Sequence, residues 1–119
     1  MKSDRELLEL AAKAAGLNGT YYKAKRMVRE FVFVDDEGII PCGRTALSLW
    51  NPLVDDGCAL RLSVKLGIHI RHWVYACEAE DNGGRSTGMI HARECNGDMV
   101  ETTRRAIVRA AAAIGEAMK

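Results

Sequence analysis

Apolar residues recur at helical spacing in three stretches of the chain, and a capping signal precedes each stretch. In the first, Ser3 and Glu6 form a capping box, in which both side chains accept hydrogen bonds from backbone N–H groups. Four apolar residues then share one helical face: Leu7, Leu10, Ala11 and Ala14. Gly16 occupies the position of a left-handed C-terminal cap, so a helix is predicted between Ser3 and Gly16.

A second helix is predicted in the middle of the chain. Pro52 holds Asn51 in an extended conformation, so the helix begins after this pair. The carboxylate of Asp55 or Asp56 can accept a hydrogen bond from an orphan N–H at the positive end of the helix dipole. Apolar positions continue at helical spacing as far as Gly67, which ends the helix. Capping therefore accounts for both acids without a catalytic role.

The third helix is predicted near the end of the chain, where Asp98 and Glu101 resemble a capping box. Its predicted apolar stripe consists of Val100, Thr103, Ile107, Ala110, Ile114 and Ala117. Small residues dominate the second half of this helix, which allows it to pack closely against a sheet. Arg104, Arg105 and Arg109 are interpreted as a solvated basic flank.

Runs of β-forming residues predict two hairpins between the helices. In the first, a strand over residues 31–34 precedes a turn over residues 35–38 and a second strand that ends at Pro41. Three consecutive acids lie in this predicted turn. A calcium-binding loop requires acids at alternate positions and a more distant Glu, so we interpret these acids as turn residues.

The second hairpin is predicted to have a long first strand, beginning at Ile68, and a turn centred on Gly83. This turn places Tyr75 opposite His91. It also places Trp73 opposite Arg93. Alternation puts one mixed set of first-strand residues on a common face: His69, Arg71, Trp73, Tyr75 and Cys77.

This mixed face is the sequence's best candidate binding surface. Arg93 can contact the face of the Trp73 ring. Tyr75 and His91 can bind a polar ligand, or His91 can carry a proton near neutral pH. The alternative is that these residues form cross-strand pairs that only stabilise the sheet. Trp50, which capping does not explain, is either part of the core or an exposed contact residue.

Composition and charge restrict the class of protein. A chain of 119 residues can bury one core, so residues 1–119 are predicted to form a single domain. The formal net charge of +1 gives no electrostatic basis for bulk binding to nucleic acids or membranes. No apolar run approaches the length of a membrane span, and the acids near the start do not fit a signal peptide. A cytoplasmic location is therefore predicted.

Metal and catalytic chemistry have no recognisable motif in this chain. The four cysteines are Cys42, Cys58, Cys77 and Cys95. They form no C-x-x-C pair and are interpreted as reduced, mostly buried thiols. The sequence also lacks a nucleophile elbow, an H-E-x-x-H motif and a phosphate-binding glycine loop. It therefore predicts a protein that uses no metal or cofactor and is not an enzyme.

One basic segment leaves a nucleic-acid role open. Residues 21–29 contain two tyrosines and four basic residues: Tyr21, Tyr22, Lys23, Lys25, Arg26 and Arg29. Such a segment can contact phosphates and stack a base. The alternative is an exposed connection or strand edge, on which charge prevents aggregation. The rest of the chain has no basic excess, so nucleic acid is the less favoured partner.

Three stretches of the sequence together resemble a known family. They are RELLELAAKAAG near the start, WNPLVDDGCALRLSVKLGI in the middle and TTRRAIVRAAAAIGEAM near the end. They resemble the phage ABA-sandwich domain family, a group of small proteins of bacteriophages and prophages. Cys58 departs from the more polar residue expected after Asp-Asp-Gly. The resemblance implies helices on both faces of a sheet and the cytoplasm of an infected or lysogenic bacterium, and it carries no catalytic residues.

The predicted fold is a single-domain α+β protein, an α/β/α sandwich with a mainly antiparallel sheet, helices on both faces and the order α-β-β-α-β-β-α. The predicted function is that of a small phage accessory protein that binds a host or phage protein, with a host-defence factor as one candidate target. Two alternatives stay open. One is a small-ligand binder or sponge that uses the mixed face, and the other is a nucleic-acid contact through residues 21–29. A homo-oligomer is also compatible with the sequence.

Overall fold

The computed structural model describes residues 2–43 and 49–118 of the protein. Its elements, in chain order, are α1 (Asp4–Ala14), β1 (Gly19–Arg29), β2 (Val32–Pro41), α2 (Asp56–Leu66), β3 (His69–Trp73), β4 (Ala76–Glu80), β5 (Ile90–His91) and α3 (Met99–Ala117). A 3-10 turn, Ala92–Cys95, precedes α3. The α+β class and the order of helices and strand groups are confirmed, although the second strand group has three strands instead of two.

Two antiparallel sheets are present in the described part of the chain, where the sequence predicted one. β1 pairs only with β2, and β4 lies between β3 and β5. Helix α3 packs on one face of the second sheet. The buried residues of this contact are Cys77, Ala79, Ile90, Ala106 and Ala110. Four of the five are small or medium-sized, so the helix axis can approach the sheet closely.

The predicted N-cap residues are confirmed, but the capping box at Ser3 is only half formed, because Glu6 accepts a hydrogen bond from the Ser3 hydroxyl and not from the Ser3 N–H. The Ser3 hydroxyl accepts a hydrogen bond from the Glu6 N–H at 3.2 Å. The Asp55 carboxylate accepts one from the Cys58 N–H at 3.0 Å, so Asp55 and not Asp56 is the N-cap of α2. Asp98 caps α3 in the same way. Each cap needs partners only three residues away along the chain, which is why the sequence predicts it well.

The first hairpin is longer than predicted, and its turn lies elsewhere. β1 and β2 pair from Gly19 opposite Pro41 to Arg29 opposite Val32, with a bulge after Met27. The turn is therefore at residues 30–31. The predicted turn at 35–38 is wrong, because these residues lie inside β2. We call β1, β2 and their turn the hairpin arm.

Cross-strand charge pairing explains why three acids occupy a strand. The strand-edge interpretation of residues 21–29 is confirmed, and each acid of β2 lies beside a basic residue of β1. Lys23 lies opposite Glu37 and Lys25 lies opposite Asp35. Arg26 forms an ion pair with Asp36. Opposite charges in facing positions stabilise a sheet, and this long-range preference overrides the local turn preference of the acids.

The second hairpin also differs from its prediction. The long first strand is broken by a turn at residues 74–75, so Trp73 pairs with Ala76 instead of lying opposite Arg93. The predicted turn near Gly83 does connect β4 to β5, but His91 pairs with Ala76 and not with Tyr75. A shift of one residue reverses the face of every side chain in a strand.

The face of Cys77 is decided by the turn at residues 74–75. Cys77 pairs with both His72 and Ile90, on the face that packs against α3, and it is fully buried. The prediction that Cys77 lies on the mixed face is therefore wrong. Cys58 and Cys95 are also buried, Cys42 is exposed, and all four thiols are free, as predicted.

Close packing of α1 against α3 forms the main core. Leu8, Ala11, Val108 and Ala111 are each 0% exposed. A Cβ atom on Gly115 would overlap the carbonyl oxygen of Leu10, so the two helices come into backbone contact at this point. The predicted stripe of α3 is only partly right, because Val100 is exposed while Thr102 is buried.

Two arginines tie α3 to the first turns of the other helices. Arg105 contacts Asp4 of α1 at 3.0 Å, and Arg104 contacts Asp56 of α2 at 2.7 Å. Their side chains are only 21% and 17% exposed. The predicted solvated flank is therefore wrong for Arg104 and Arg105, whose acidic partners lie 48 to 101 residues away in sequence.

The Trp-Asn-Pro segment joins the hairpin arm to α2. Trp50 exchanges two backbone hydrogen bonds with Ile39 of β2, at 2.8 and 2.9 Å. The buried Asn51 side chain donates to the Glu37 carbonyl at 2.7 Å and accepts from the Leu53 N–H at 2.9 Å. These bonds hold the edge of β2 against the entrance of α2, so the segment has a structural role.

A candidate binding cleft between α2 and α3

The predicted site residues do not form one site. Trp50 is half-buried and packs against the main core, which favours its core interpretation. Trp73, Tyr75 and His91 lie at one end of the second sheet, around the turn at residues 74–75. Arg93 is in the 3-10 turn and exposed. The structure therefore brings three of the five residues to one region and separates Trp50 from them.

The sheet end is an exposed surface and not a concave site. Trp73 and His91 share a row on either side of the small Ala76, which places their strands about 10 Å apart. Tyr75 is 76% exposed, and its carbonyl accepts a hydrogen bond from the Ala92 N–H at 2.7 Å. On the same face, Arg71 is paired with Glu78 and Glu80. Trp73 and Tyr75 therefore present a large aromatic contact area that is open to solvent.

A cleft lies on the other side of the second sheet, between α2, β3 and α3. Its volume is about 410 Å³. The apolar residues that line it are Ala59, Leu60, Ile70, Met99, Val100 and Ile107. Ala59 and Ile107 are buried, whereas Leu60 on α2 and Val100 on α3 are exposed. We call this space the α2–α3 cleft.

Two polar contacts lie at the cleft. The Arg104–Asp56 pair is fixed further because Arg104 Nε donates to the Leu53 carbonyl at 2.8 Å. His72 Nε2 lies 2.9 Å from the Thr103 hydroxyl oxygen. The Thr103 hydroxyl donates its single proton to the Met99 carbonyl, so His72 must be the donor in the contact between the two side chains.

Exposed aliphatic side chains extend the cleft outward. Leu60 is 63% exposed, Val100 is 53% exposed, and Val64 follows Leu60 by one helical turn at 73% exposure. We call these three residues the aliphatic rim. The sequence analysis missed it, because it sought the buried stripe of α2 and not the second apolar pair at i and i+4. Leu60 and Val64 at that spacing were the available signal.

The thiols near the cleft are not activated as nucleophiles. Burial is the largest cause of the change at the Cys77 thiol and raises its pKa. Burial likewise raises the pKa of the Cys58 thiol, and the bond to Asp55 raises it further. A reactive cysteine requires a lowered pKa, so these two thiols act as packing groups.

The basic residues of the arm are largely neutralised by their neighbours. The Arg26 guanidinium is ion-paired with Asp36, and a hydrogen bond to that carboxylate raises the pKa of Arg26. Lys23 and Lys25 face acids across the strands. A phosphate backbone would have to compete with these carboxylates, which weakens the nucleic-acid hypothesis for residues 21–29.

Comparison with protein-family models, curated proteins and solved structures finds no match to this chain. No helix of residues 2–43 and 49–118 is long and apolar enough to cross a membrane. In the same residues, no three His, Cys, Asp or Glu side chains are grouped so that they could hold a metal ion.

Proposed function

We propose that this protein acts by binding another protein through the α2–α3 cleft and its aliphatic rim. The observation that carries the proposal is the exposure of Leu60 and Val100 in the lining of an apolar cleft, with Val64 exposed one helical turn after Leu60. Contiguous apolar surface is costly in water, and on small proteins it often marks an interaction site. A partner segment that inserts an apolar side chain between Leu60 and Val100 would remove this surface from water.

The energetic scale supports a protein partner. Full burial of a Leu or Val side chain is worth about 1.5–3 kcal/mol. Two or three such residues can therefore supply the central apolar contacts of a moderately tight interface. The Arg104–Asp56 pair and His72 at the cleft supply a polar rim that can set the orientation of the partner.

Binding is favoured over catalysis by the hydrogen bonds at the cleft. His72 donates to Thr103, whose own proton is committed to a backbone carbonyl. His72 is therefore not arranged as a base that removes the Thr103 proton. The nearby thiols have raised pKa values.

The biological setting of the proposal is a bacterium that carries a phage or prophage, and the partner is a host or phage protein, with a host-defence factor as one candidate. This setting comes from the resemblance of three sequence stretches to the phage ABA-sandwich family. The cleft itself specifies only that the partner offers an apolar side chain, as an amphipathic helix does.

The test is a comparative capture experiment with wild type, Leu60→Asp and Val54→Asp. Both variants place a carboxylate on an exposed aliphatic position, and Val54, at 68% exposure, lies outside the cleft. Lysates of infected and uninfected bacteria are passed over each immobilised protein, and retained proteins are identified by mass spectrometry. We expect a protein retained by wild type and Val54→Asp and weakened at least about tenfold by Leu60→Asp. Equal retention by Leu60→Asp would contradict the cleft as the site.

A small ligand is the second candidate occupant, because the cleft volume of about 410 Å³ falls in the range of small-molecule pockets. This candidate is distinguished by native mass spectrometry of the gently purified protein. A small-molecule mass retained by wild type and lost from Leu60→Asp would favour a ligand in the cleft. A retained mass that survives Leu60→Asp would place the ligand elsewhere, for example at the Trp73 and Tyr75 surface.

A further inference from the structure

The turn of the hairpin arm contains one residue in an unfavourable backbone conformation. Phe31 has φ = 60°, in the left-handed region where glycine is the usual residue. Large side chains rarely occupy this region, because the Cβ atom approaches the carbonyl oxygen. The ring is also 83% exposed, so no burial compensates for the conformation. A conformation that releases residue 31 from the left-handed region would therefore be relieved of this strain.

The pairing within the arm does not require its two strands to come from one chain. The register is constant from Lys23 to Met27: Lys23 lies opposite Glu37, Met27 lies opposite Phe33, and the two residue numbers of each pair sum to 60. The bulge after Met27 and the tight turn are the only irregular parts of the arm. Both arise because the chain must reverse within residues 28–32.

We propose that two copies of this chain exchange α1 and β1, so that β1 of each copy pairs with β2 of the other and α1 of each copy packs on α3 of the other. In the exchanged dimer residues 19–41 run straight through position 31, and Phe31 leaves the left-handed region. Short hinge loops under strain favour this type of exchange. The charge couples of the arm re-form between copies, because Lys25 meets the partner's Asp35 in the same register.

Continuation of the register through the centre predicts new contacts. Val28 would lie opposite the partner's Val32, Arg29 opposite the partner's Phe31 and Glu30 opposite the partner's Glu30, so the bulge would disappear and one like-charged pair would form at the centre. Because successive residues of a strand alternate in face, the exposed residues Met27, Phe31 and Phe33 of both copies would gather on one face of the ribbon. These three residues are 60%, 83% and 57% exposed in the single chain. In the exchanged dimer the apolar residues at the end of one arm therefore contact the same residues of the partner's arm.

Cysteine cross-linking tests the exchange directly. Lys25→Cys and Asp35→Cys are combined in one chain, with Cys42→Ser removing the exposed native thiol. The backbone N–H and C=O of Ile39 bond to Trp50 and therefore point away from β1. Every second residue of a strand has the same orientation, so the backbone groups of Asp35 also point away from β1. The pair at 25 and 35 is then a non-hydrogen-bonded pair, whose short Cα separation suits a disulfide. After refolding at high concentration and oxidation, we expect covalent dimers on a non-reducing gel.

Two substitutions of Phe31 distinguish dimerisation by strand exchange, which relieves the backbone strain, from dimerisation by simple contact between exposed Phe31 rings. Phe31→Gly removes both the strain and the ring, while Phe31→Val removes the ring but keeps a side chain that disfavours φ = 60°. We expect Phe31→Gly to lower the association constant of the dimer about 100-fold, or about tenfold for each of the two turns. Phe31→Val is expected to dimerise at least as well as wild type.

Size-exclusion chromatography with light scattering measures these association constants across protein concentrations. Dimers of Phe31→Val, with intermolecular disulfides in the cysteine variant, would support the exchange. Loss of the dimer in both Phe31 variants would indicate tip-to-tip contact and overturn it. Disulfides confined to single chains within a dimer, or a Phe31→Val protein that stays monomeric after concentrated refolding, would also overturn it.

Discussion

The helical body and the hairpin arm of this protein are stabilised in different ways. In the body, Leu8 and Val108 are fully buried, and Gly115 lets α1 and α3 come into backbone contact. In the arm, Met27 and Phe33 remain mostly exposed, and cross-strand hydrogen bonds and charge couples hold the strands together. The body is therefore stabilised mainly by buried apolar side chains, whereas the outer part of the arm depends on contacts between its two strands and leaves apolar side chains exposed.

The largest expected effect is the difference in stability between a side-chain truncation in the body and a truncation in the arm. Leu8→Ala should reduce the free energy of unfolding by about 2–5 kcal/mol, because it leaves a cavity at a fully buried position. Phe33→Ala removes a larger side chain but should change stability by less than about 0.5 kcal/mol, because the ring is exposed. Chemical denaturation of both variants measures the difference. Similar losses would show that the arm is part of the cooperative core.

A second prediction concerns the close approach of α1 and α3. Gly115→Ala should destabilise the protein by about 1–3 kcal/mol, because the new Cβ overlaps the Leu10 carbonyl oxygen and forces the helices apart. In an exposed helix the same change would stabilise by about 1 kcal/mol. Ala113→Gly, at an exposed position two residues earlier, is the control and should cost about 1 kcal/mol. A stabilising Gly115→Ala change would mean that the helices do not touch there.

The junction between arm and body gives a third prediction. The Tyr21 hydroxyl donates to Glu37, and the Arg5 guanidinium lies 4.8 Å from the centre of the Tyr21 ring. Desolvation, followed by the bond to Glu37, raises the pKa of Tyr21 to about 12. Because the folded protein holds this proton more tightly, the contribution to stability is complete below pH 10 and is lost as the pH rises through about 12.

Ultraviolet titration of the phenolate bands measures this transition. Tyr21→Phe should remove an ionisation near pH 12 and should cost about 1 kcal/mol at neutral pH, the value of one hydrogen bond. The neighbouring Tyr22→Phe is the matched control and should leave the late ionisation in place. If Tyr21 ionised with the ordinary pKa near 10, its side chain would not be packed between the arm and α1.

The smallest expected effect is local, in the loop after β4. Asp81 is 5% exposed, and its carboxylate accepts hydrogen bonds from the Gly83 and Arg85 N–H groups and from the Arg85 guanidinium. The backbone bond from Arg85 is the largest cause of a lowered pKa for Asp81. The stabilisation is therefore present above the unfolded value near 4 and is lost as the pH falls through the folded value.

Amide hydrogen exchange across an acid titration tests this loop. Protection of the Gly83 and Arg85 amides should fall below about pH 4, and Asp81→Asn should reduce their protection already at neutral pH. The amides of α3 provide the internal reference and should be unaffected. Protection that is independent of both pH and the Asn substitution would show that backbone geometry alone fixes the loop.

The sequence predicted helices far better than strand register. The caps at Ser3, Asp55 and Asp98 were identified because their partners lie within three residues. The hairpin predictions relied on turn composition, and in the arm the residues at 35–37 combine turn chemistry with charges that match β1. Local composition cannot weigh a turn against pairing with residues ten or more positions away.

The candidate site illustrates the same limit. The predicted mixed face depended on a register that is wrong by one residue, so Trp73 and Arg93 are not neighbours across the sheet. The α2–α3 cleft combines residues from positions 56 to 107, which meet only after α3 has packed on α2 and β3. Leu60 and Val64 carried a signal for an apolar outer face, but its location next to Val100 required the packed structure.

Local sequence patterns were sufficient to predict the α+β class, the three helices with their N-cap residues, and four free thiols of which most are buried. These features follow from interactions within one or two turns and from side-chain polarity. The tertiary structure alone decided the strand registers, the pairing of Arg105 with Asp4, and the surface left open around the cleft. The physical reason is that each of these depends on the relative free energies of contacts between distant segments, which no local pattern contains.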